Sequence, residues 1–272
     1  MRTANTLLFL FAFFAMASTN VSFAQQDTSA AQTLHKITLR DGSEVVGTIE
    51  SETADALRFT TASNVLMVIP QNQVKSKERL SGSFVEGEYR RVDPNNTRLL
   101  FAPTARSLKA GQGYFSVAQI FFPFLAVGVT DFASLAGGIS LLPGASNQLI
   151  YLAPKVTPLH LKNFDLAGGL LYINTTGGNG DGVGIVYGVG TYGSSDAALT
   201  AGLGWGFAQG ELSNEPVVLI GGELRVSNSV KFITENWIPP SSDIVVVSFG
   251  IRFYRRKLSC RLGLHSPGRF RY

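Results

Sequence analysis

The stretch DAALTAGLGWGF, Asp196–Phe207, decides the fold, because its residues separate by size at every second position. Successive side chains of a β-strand point to opposite faces, so one face of this strand carries large apolar groups and the other almost nothing. Strands of a membrane β-barrel alternate in this way, with one face toward lipid and the other toward the lumen. The stretch therefore predicts a membrane-spanning strand whose large residues meet lipid. The large set is Leu199, Leu203, Trp205 and Phe207, and the small set is Thr200, Gly202, Gly204 and Gly206.

Three further segments, 182–193, 216–227 and 243–254, repeat the alternation, and we expect the same sense of segregation in each. A water-soluble β-sandwich also alternates, but its solvated face carries charged residues or Ser and Thr rather than glycine. Because glycine weakens a strand unless space is scarce, the small face predicts a narrow lumen. The residues expected to face lipid are Val183, Ile185, Tyr187 and Val189, then Val218, Ile220, Leu224 and Val226, then Val245, Val247, Phe249, Ile251 and Phe253.

Turn signals divide the C-terminal part of the chain into ten predicted strands joined as an antiparallel meander. With an even number of strands, the chain enters and leaves the barrel on the same side of the membrane. The segment HSPG, His265–Gly268, interrupts the last strand, so eight or twelve strands stay open as alternatives. The predicted fold is all-β, an antiparallel meander transmembrane β-barrel. Its strands are expected at 113–121 with an extension to 129, 133–142, 147–157, 164–174, 182–193, 197–208, 216–227, 229–238, 243–254 and 256–264.

The chain before this region divides into three predicted parts. Residues 1–24 read as a secretory signal peptide, with Arg2, an apolar run that is too short to cross a bilayer as a helix, and small residues that favour cleavage after Ala24. Residues 34–80 are expected to form a small five-stranded β-barrel. Residues 81–111 are expected to be a linker that begins to dock near Asn96, which leaves 112–272 for the membrane barrel.

The small N-terminal module carries a recognisable pattern, LRDGSEVVGTIE, then LRFTT, then VLMVIPQNQV. Asp41-Gly42 in this pattern predicts a tight hairpin turn, because both residues tolerate positive φ. The pattern resembles the Sm-like or SH3-like β-barrels that occur in exported bacterial proteins. That resemblance implies a module that binds a periplasmic protein partner or braces its neighbour.

Two segments of the C-terminal part resemble those of small, largely uncharacterised outer-membrane β-barrel proteins of Gram-negative bacteria. They are APTARSLKAGQGYF, Ala102–Phe115, and VGVTDFASLAGGI, Val127–Ile139. The resemblance implies a location in the outer membrane, in contact with its lipid, with the N-terminal module in the periplasm. It brings no catalytic residue with it.

Three features of the sequence suggest a catalytic or binding site, but each is better explained as an ordinary part of a strand or loop. GVGTYG, Gly188–Gly193, matches a dinucleotide-binding pattern, but glycines at every second position follow it, where that motif needs a helix. GGNGDG, Gly177–Gly182, offers one carboxylate to a calcium ion that needs several. His35, His160 and His265 share no spacing with acids or with Cys260, the single cysteine. We therefore expect no catalytic, cofactor-binding or metal-binding residues, and no cofactor.

Six charged residues are predicted to point into the lumen by their position in the alternation. One interpretation is a selectivity ring or ligand site in a narrow pore. The other, which we favour, is a set of ion pairs that fills the interior, because a barrel of this size leaves little free space inside. The six residues are Lys155, Glu223, Arg225, Lys231, Glu235 and Arg252.

The composition restricts the function. The net charge of +4 is too small for a nucleic-acid partner, which a clustered basic face would indicate. We expect a non-enzymatic outer-membrane barrel with a structural, interaction or narrow-pore role, porin-like in architecture. The alternatives are an outer-membrane enzyme acting on lipid or peptide at the barrel rim, and a soluble secreted β-sandwich that binds a ligand.

Overall fold

The computed structural model describes residues 18–25, 34–61, 63–80, 82–85, 88–118, 121–178, 182–240, 244–255 and 258–269. Apart from one short 3-10 helix, Gln71–Gln73, every regular element within these ranges is a β-strand. No helix in them is long and apolar enough to cross a membrane. The chain forms two compact units, one of Asp27–Val92 and one of Met1–Gln26 together with Asp93–Tyr272.

The strands are numbered in chain order. They are β1 Ser18–Gln25, β2 Leu34–Leu39, β3 Glu44–Glu52, β4 Ala56–Thr61, β5 Leu66–Pro70, β6 Val74–Leu80, β7 Gly82–Val85, β8 Glu88–Arg91, β9 Gly113–Ala118, β10 Phe122–Gly128, β11 Ala133–Ile139, β12 Leu149–His160, β13 Phe164–Thr175, β14 Val183–Gly193, β15 Ala197–Ala208, β16 Glu211–Leu212, β17 Val217–Ser227, β18 Val230–Ile238, β19 Ile244–Arg255 and β20 Leu258–Arg269.

The smaller unit contains the five-stranded antiparallel sheet predicted for residues 34–80, in the order β5-β4-β3-β2-β6. Its core is apolar and is formed by Ile37, Leu57, Phe59 and Ile69, all nearly inaccessible. The predicted DGS turn is present, with Gly42 at φ +90° and the Ser43 amide donating to the Asp41 carboxylate at 2.8 Å. The Ser43 hydroxyl and amide lower the pKa of that carboxyl. Strands β7 and β8 form a separate hairpin.

The larger unit is one antiparallel meander of twelve strands, with the two-residue β16 added beside β15. Chain neighbours pair from β9 to β15 and again from β15 through β17 to β20. Strand β1 lies between β9 and β20 and pairs with both. The prediction of an all-β antiparallel meander is confirmed. The expected number of ten strands is wrong, and the described strands give the alternative of twelve.

One of the two added strands comes from residues 113–129, which were expected to form a single strand. They form β9 and β10, which pair with each other so that Ala118 lies opposite Phe122. Because the numbers of the paired residues differ by an even number, even-numbered residues of both strands lie on the same face of the sheet. Tyr114 and Ser116 are buried on β9 and Phe124 and Ala126 on β10, so the alternation passes through the turn unchanged. For this reason the size pattern alone could not reveal the turn.

The other added strand, β1, overlaps the predicted signal peptide. Residues 1–17 of that segment lie outside the described residues, whereas Ser18–Gln25 pairs with β9 and β20. Cleavage after Ala24 stays a prediction, and it would remove all of β1 except its last residue. Without β1, both β9 and β20 would lose one hydrogen-bonded neighbour.

Strand β15 shows the predicted segregation, and its neighbour β14 shows the reverse. Leu199 is 69% exposed on β15, while Thr200 and Gly204 are buried. On β14, however, Val189 is buried and Gly188 is exposed. The expectation that Val183, Ile185, Tyr187 and Val189 face outward is therefore wrong.

The antiparallel register explains this reversal, because directly paired residues share a face of the sheet. Val189 pairs with Gly202, and Tyr187 pairs with Gly204. A Cβ on Gly204 would meet the Cδ1 atom of Ile185 at 2.5 Å. On the buried face, large residues of β14 therefore lie beside glycines of β15, and on the exposed face Gly188 lies opposite Leu203. The glycines make room for large residues of the neighbouring strand, which corrects the narrow-lumen explanation.

Candidate functional site on the covered face of the large sheet

Residues 93–108, here called the covering segment, lie along the buried face of the large sheet. Leu99 and Leu100 pack against Ile233 of β18. Ala105 packs against Ala167 of β13 and Val189 of β14. The segment therefore contacts several strands at once and is buried, although the sequence predicted most of it to be a linker. Docking near Asn96 was the one part of that prediction that pointed to this arrangement.

Glycines in the sheet admit the two leucines of the covering segment. A Cβ added to Gly221 on β17 would collide with Leu99, and one added to Gly250 on β19 would collide with Leu100. Larger residues at these two positions would push the segment away from the sheet. The sheet is thus shaped to receive the covering segment.

Amide groups of the covering segment are bound by acceptors on the sheet. The Glu235 carboxylate of β18 accepts hydrogen bonds from the Phe101 amide at 2.8 Å and the Ala102 amide at 2.9 Å. Further along, the Ala105 amide donates to the Thr191 hydroxyl of β14 at 2.9 Å. A buried backbone amide without a partner costs free energy, so these side chains replace the neighbouring strand that the segment lacks.

Two donors of strand β12 bind the carbonyl groups at the other end of the covering segment. The Lys155 ammonium donates to the Thr104 carbonyl at 2.9 Å and to the Arg106 carbonyl at 2.6 Å. The Thr157 hydroxyl donates to the Ala105 carbonyl at 2.9 Å. These bonds account for the burial of a lysine that forms no ion pair within 4 Å among the described residues.

Two arginines bind the middle of the covering segment. Arg252 of β19 donates to the Leu99 carbonyl at 2.8 Å and also to the carbonyl of Arg98. Arg261 of β20 donates to the same Leu99 carbonyl. Both guanidinium groups are almost wholly buried, so their charge is directed at the backbone of the segment.

A cluster of ion pairs fixes the start of the covering segment. The Asp93 carboxylate lies 2.6 Å from Arg252 and 3.1 Å from the Lys231 ammonium of β18. Glu223 of β17 lies 3.2 Å from the same ammonium and 3.4 Å from Arg252. Glu223 also pairs with Arg106, near the other end of the segment. Two acids and three cations thus bind both ends of the segment to the sheet.

The charge state of Asp93 is set by its neighbours in this cluster. Burial alone raises the pKa of the Asp93 carboxyl, but the positive charges of Arg252 and Lys231 outweigh that effect. Together with a hydrogen bond from the Asn95 amide, they hold the pKa of Asp93 well below its ordinary range. The carboxylate is therefore ionised at any physiological pH, and the cluster contains complementary charges.

All six residues that the sequence predicted as lumen charges lie on the covered face. Glu223, Lys231 and Arg252 come together around Asp93, whereas Lys155 and Glu235 bind the covering segment separately. Arg225 lies apart from both groups and binds Asp196 at 2.6 Å, at the turn before β15.

Sequence reasoning missed five groups of this site: Asp93, Arg106, Thr157, Thr191 and Arg261. Arg261 could have been found by extending the alternation into β20, where Leu262 and Leu264 are exposed and Arg261 is buried. Asp93 and Arg106 lie outside the regular strands, where the sequence has no repeating pattern that predicts which side chains are buried.

The structure describes most of the residues in the motifs that the sequence analysis set aside. GVGTYG forms the end of β14 and is followed by a turn and β15. Residues 179–181 of the glycine-rich loop lie outside the described residues. Within the described ranges, no group of three or more His, Cys, Asp or Glu side chains could hold a metal ion. His160 pairs with Asp165 across β12 and β13.

Comparisons with known proteins give one structural match. No family model matches the sequence, and no curated protein matches it. The solved structure is OmpTdeltaL8, a loop L8 deletion mutant of OmpT, an outer membrane protein of Vibrio cholerae. The two chains are 10% identical, the match covers 93% of this chain and 99% of that one, and the TM-score is 0.27. At this score the likeness carries no argument about a shared site.

The comparison corrects one prediction. We expected the protein not to be an enzyme, and a match to OmpT gives no ground for excluding catalysis. That exclusion is therefore withdrawn, and no reaction is assigned in its place.

Proposed function

We propose that the larger unit is a membrane-spanning β-barrel of an outer membrane, and that it is a narrow pore held closed by its own residues 93–108. The pairing order supports closure, because β14 pairs with β15 in the middle of the meander and β1 pairs with both β9 and β20. A closed ring leaves no strand edge unpaired, which a hydrocarbon environment requires.

The exposed face of the sheet supports a lipid environment. Large apolar side chains on neighbouring strands are accessible there, and an apolar surface of this extent is rare on soluble monomeric proteins. The exposed residues include Leu125, Leu135, Leu152, Leu166, Leu199, Leu203, Ile220, Phe232, Phe249 and Leu262.

The observation that carries the closed state is that the charged groups of the covered face bind the covering segment. Lys155, Glu235 and Arg252 all contact the backbone of residues 98–106. Charges that lined an open channel would instead be hydrated. Opening the pore therefore requires the covering segment to leave these contacts.

The lengths of the connections suggest an orientation. Turns 129–132, 161–163, 194–196 and 228–229 share one end of the strands, and the longer connections 140–148, 176–182, 209–216 and 239–243 share the other. Outer-membrane barrels have short periplasmic turns and longer external loops. Asp93 binds Lys231, which follows the turn at 228–229, so the chain joins the barrel at the short-turn end. On this basis we place the SH3-like or Sm-like module, residues 34–80, in the periplasm, where a protein partner would bind it.

Three measurements test the barrel: detergent extraction, gel mobility and mass spectrometry. We expect the protein to require detergent for extraction and to migrate differently on gels before and after heating. Mass spectrometry of the mature chain gives its first residue. A chain that begins at Gln25 would contradict the twelve-stranded form, because it lacks β1.

Conductance in planar bilayers tests the closed pore. The wild-type protein should conduct rarely, whereas Leu99→Ser with Leu100→Ser should open the pore by weakening the packing of the covering segment. Leu135→Ser, on the exposed face of β11, is the matched control and should stay closed. High conductance of the wild-type protein, or no change in the double variant, would refute the proposal.

A further inference from the structure

A cavity of about 50 Å³ remains between the covering segment and the sheet. Phe101 and Pro103 of the covering segment form one side of it. Tyr187, Leu219 and Trp237 are among the residues of the sheet that form the other side. Gly202 and Gly204 also line it.

The lining of this cavity is apolar, unlike the surroundings of the ionic cluster on the same face. None of the residues that line it is charged, and its most polar groups are the tyrosine hydroxyl and the indole of Trp237. That indole already donates to Glu235 at 2.8 Å. A water molecule needs two to four polar partners, so this space does not suit water.

The cavity lies toward the end of the strands that carries the longer connections. Val217, which lines it, begins β17, whereas Glu223 and Arg225 lie in the second half of that strand. Likewise, Trp237 is near the end of β18, and Lys231 is near its start. The cavity therefore lies nearer the longer connections than the ionic cluster of Asp93, Glu223 and Lys231 does.

We propose that this cavity binds the end of an alkyl chain, such as the acyl chain of a fatty acid or lipid. The inference rests on the proposed closed barrel, because the cavity lies inside it. The size favours a chain end over a ring, since an apolar cavity of roughly 150 Å³ is known to take benzene. The affinity should rise about fourfold for each methylene group that enters, and should stop rising when the cavity is full.

The two tryptophans of the chain provide the assay. Trp237 lines the cavity, and Trp205 belongs to the large-residue face of β15. In vesicles, the variant Trp205→Phe reports only on Trp237, and Trp237→Phe reports only on Trp205. A series of ω-bromoalkanoates of increasing length serves as the quenching probe. We expect saturable quenching of Trp237, reversed by the unbrominated acid, and non-saturable quenching of Trp205 by partition into the lipid.

Filling the cavity is the decisive variant. Val217→Phe in the Trp205→Phe background should weaken the saturable quenching at least tenfold, and Leu219→Phe should do the same. Val218→Phe, one residue along and on the opposite face, should leave it unchanged. Unchanged quenching in both filled variants, or non-saturable quenching of Trp237, would mean that the cavity is only a packing void. A protein that shows no heat-modifiable mobility would instead refute the proposed barrel, so the two failures are distinguishable.

Discussion

The two units of this chain differ in whether they bury charged residues. The smaller unit has a core of Ile37, Leu57 and Phe59, and its ion pairs, such as Lys36 with Glu44, lie at the surface. The larger unit exposes leucine and phenylalanine and buries Lys231, Arg252 and Glu235, each at most 1% exposed. Antiparallel sheets therefore surround an apolar core in the smaller unit, and they bury ion pairs beside apolar groups in the larger unit.

The surroundings of a sheet, rather than its strand pattern, decide which of its faces is buried. In water, apolar groups gain by burial, and charges stay outside. A sheet that exposes apolar residues and still buries charges needs an apolar solvent outside and complementary charges inside. The covering segment supplies part of that inner complement through Asp93 and Arg106.

Glu223→Ala should give the largest effect. It removes a carboxylate that contacts Lys231, Arg252 and Arg106, and it leaves those cations with too little negative charge. Removing one partner of a buried ion pair costs about 3–5 kcal/mol. Urea unfolding in detergent should show that loss. Glu211→Ala, on an exposed hairpin, is the control and should stay within about 0.5 kcal/mol of wild type. Equal stability of the two variants would show that the buried ionic cluster contributes nothing.

Leu203→Arg should come next, because it puts a charge on the exposed face near the middle of β15. In a lipid-facing barrel position the cost is about 2–4 kcal/mol near the bilayer midplane. The measurement is equilibrium unfolding from vesicles. A cost near zero would indicate that water surrounds this face, and the contrast between the two units would then disappear.

Asp93→Asn should cost about 1.5–3 kcal/mol at neutral pH, the usual range for a hydrogen bond with a charged partner. The folded-state pKa of Asp93 is lowered, so its contribution is fully present above the unfolded-state pKa of about 3.9. The contribution is lost as the pH falls below that value toward the folded-state pKa. Unfolding measured from pH 7 to pH 3 should show this acid-dependent loss in the wild-type protein and a smaller one in the variant. Identical pH profiles would contradict it.

Val68→Lys should have the smallest effect, within about 0.5 kcal/mol. Val68 is an apolar residue on edge strand β5 of the smaller unit and is 60% exposed. It is thus the counterpart of Leu203 on a sheet that we expect to face water. A loss similar to that of Leu203→Arg would mean that this edge is covered by another surface.

The sequence allowed the antiparallel meander to be predicted because its period of two is strong in β15, β17 and β19. The inward charges followed from the same period. The buried face of β14 did not follow. Even-numbered residues of β14 pair with odd-numbered residues of β15, whereas even-numbered residues of β9 pair with even-numbered residues of β10. Parity across a turn depends on the register of the hairpin, and the length of a glycine-rich turn does not fix that register.

The covering segment was the hardest part to predict. Its backbone forms no ladder with a neighbouring strand, so its residues follow no period that a pattern search detects. The only local signal was the apolar patch from Leu99 to Ala102 within a polar stretch. Its position depends on Glu235 and Lys155, which lie far along the chain, and sequence alone does not show which distant side chains meet it.

The sheet holds the covering segment mainly through carbonyl and amide groups, which every amino acid provides. Glu235, Lys155 and Arg252 therefore bind backbone groups in and beside a turn, in which the Leu99 amide donates to the Ala102 carbonyl and the Thr104 amide donates to the Thr97 carbonyl, both at 2.9 Å. Substitutions in residues 98–106 that keep the turn and its fit against the sheet should therefore be tolerated better than substitutions of Lys155, Glu235 or Arg252. A peptide of unrelated sequence that forms the same turn, supplied in excess, would present the same groups and compete for the same place.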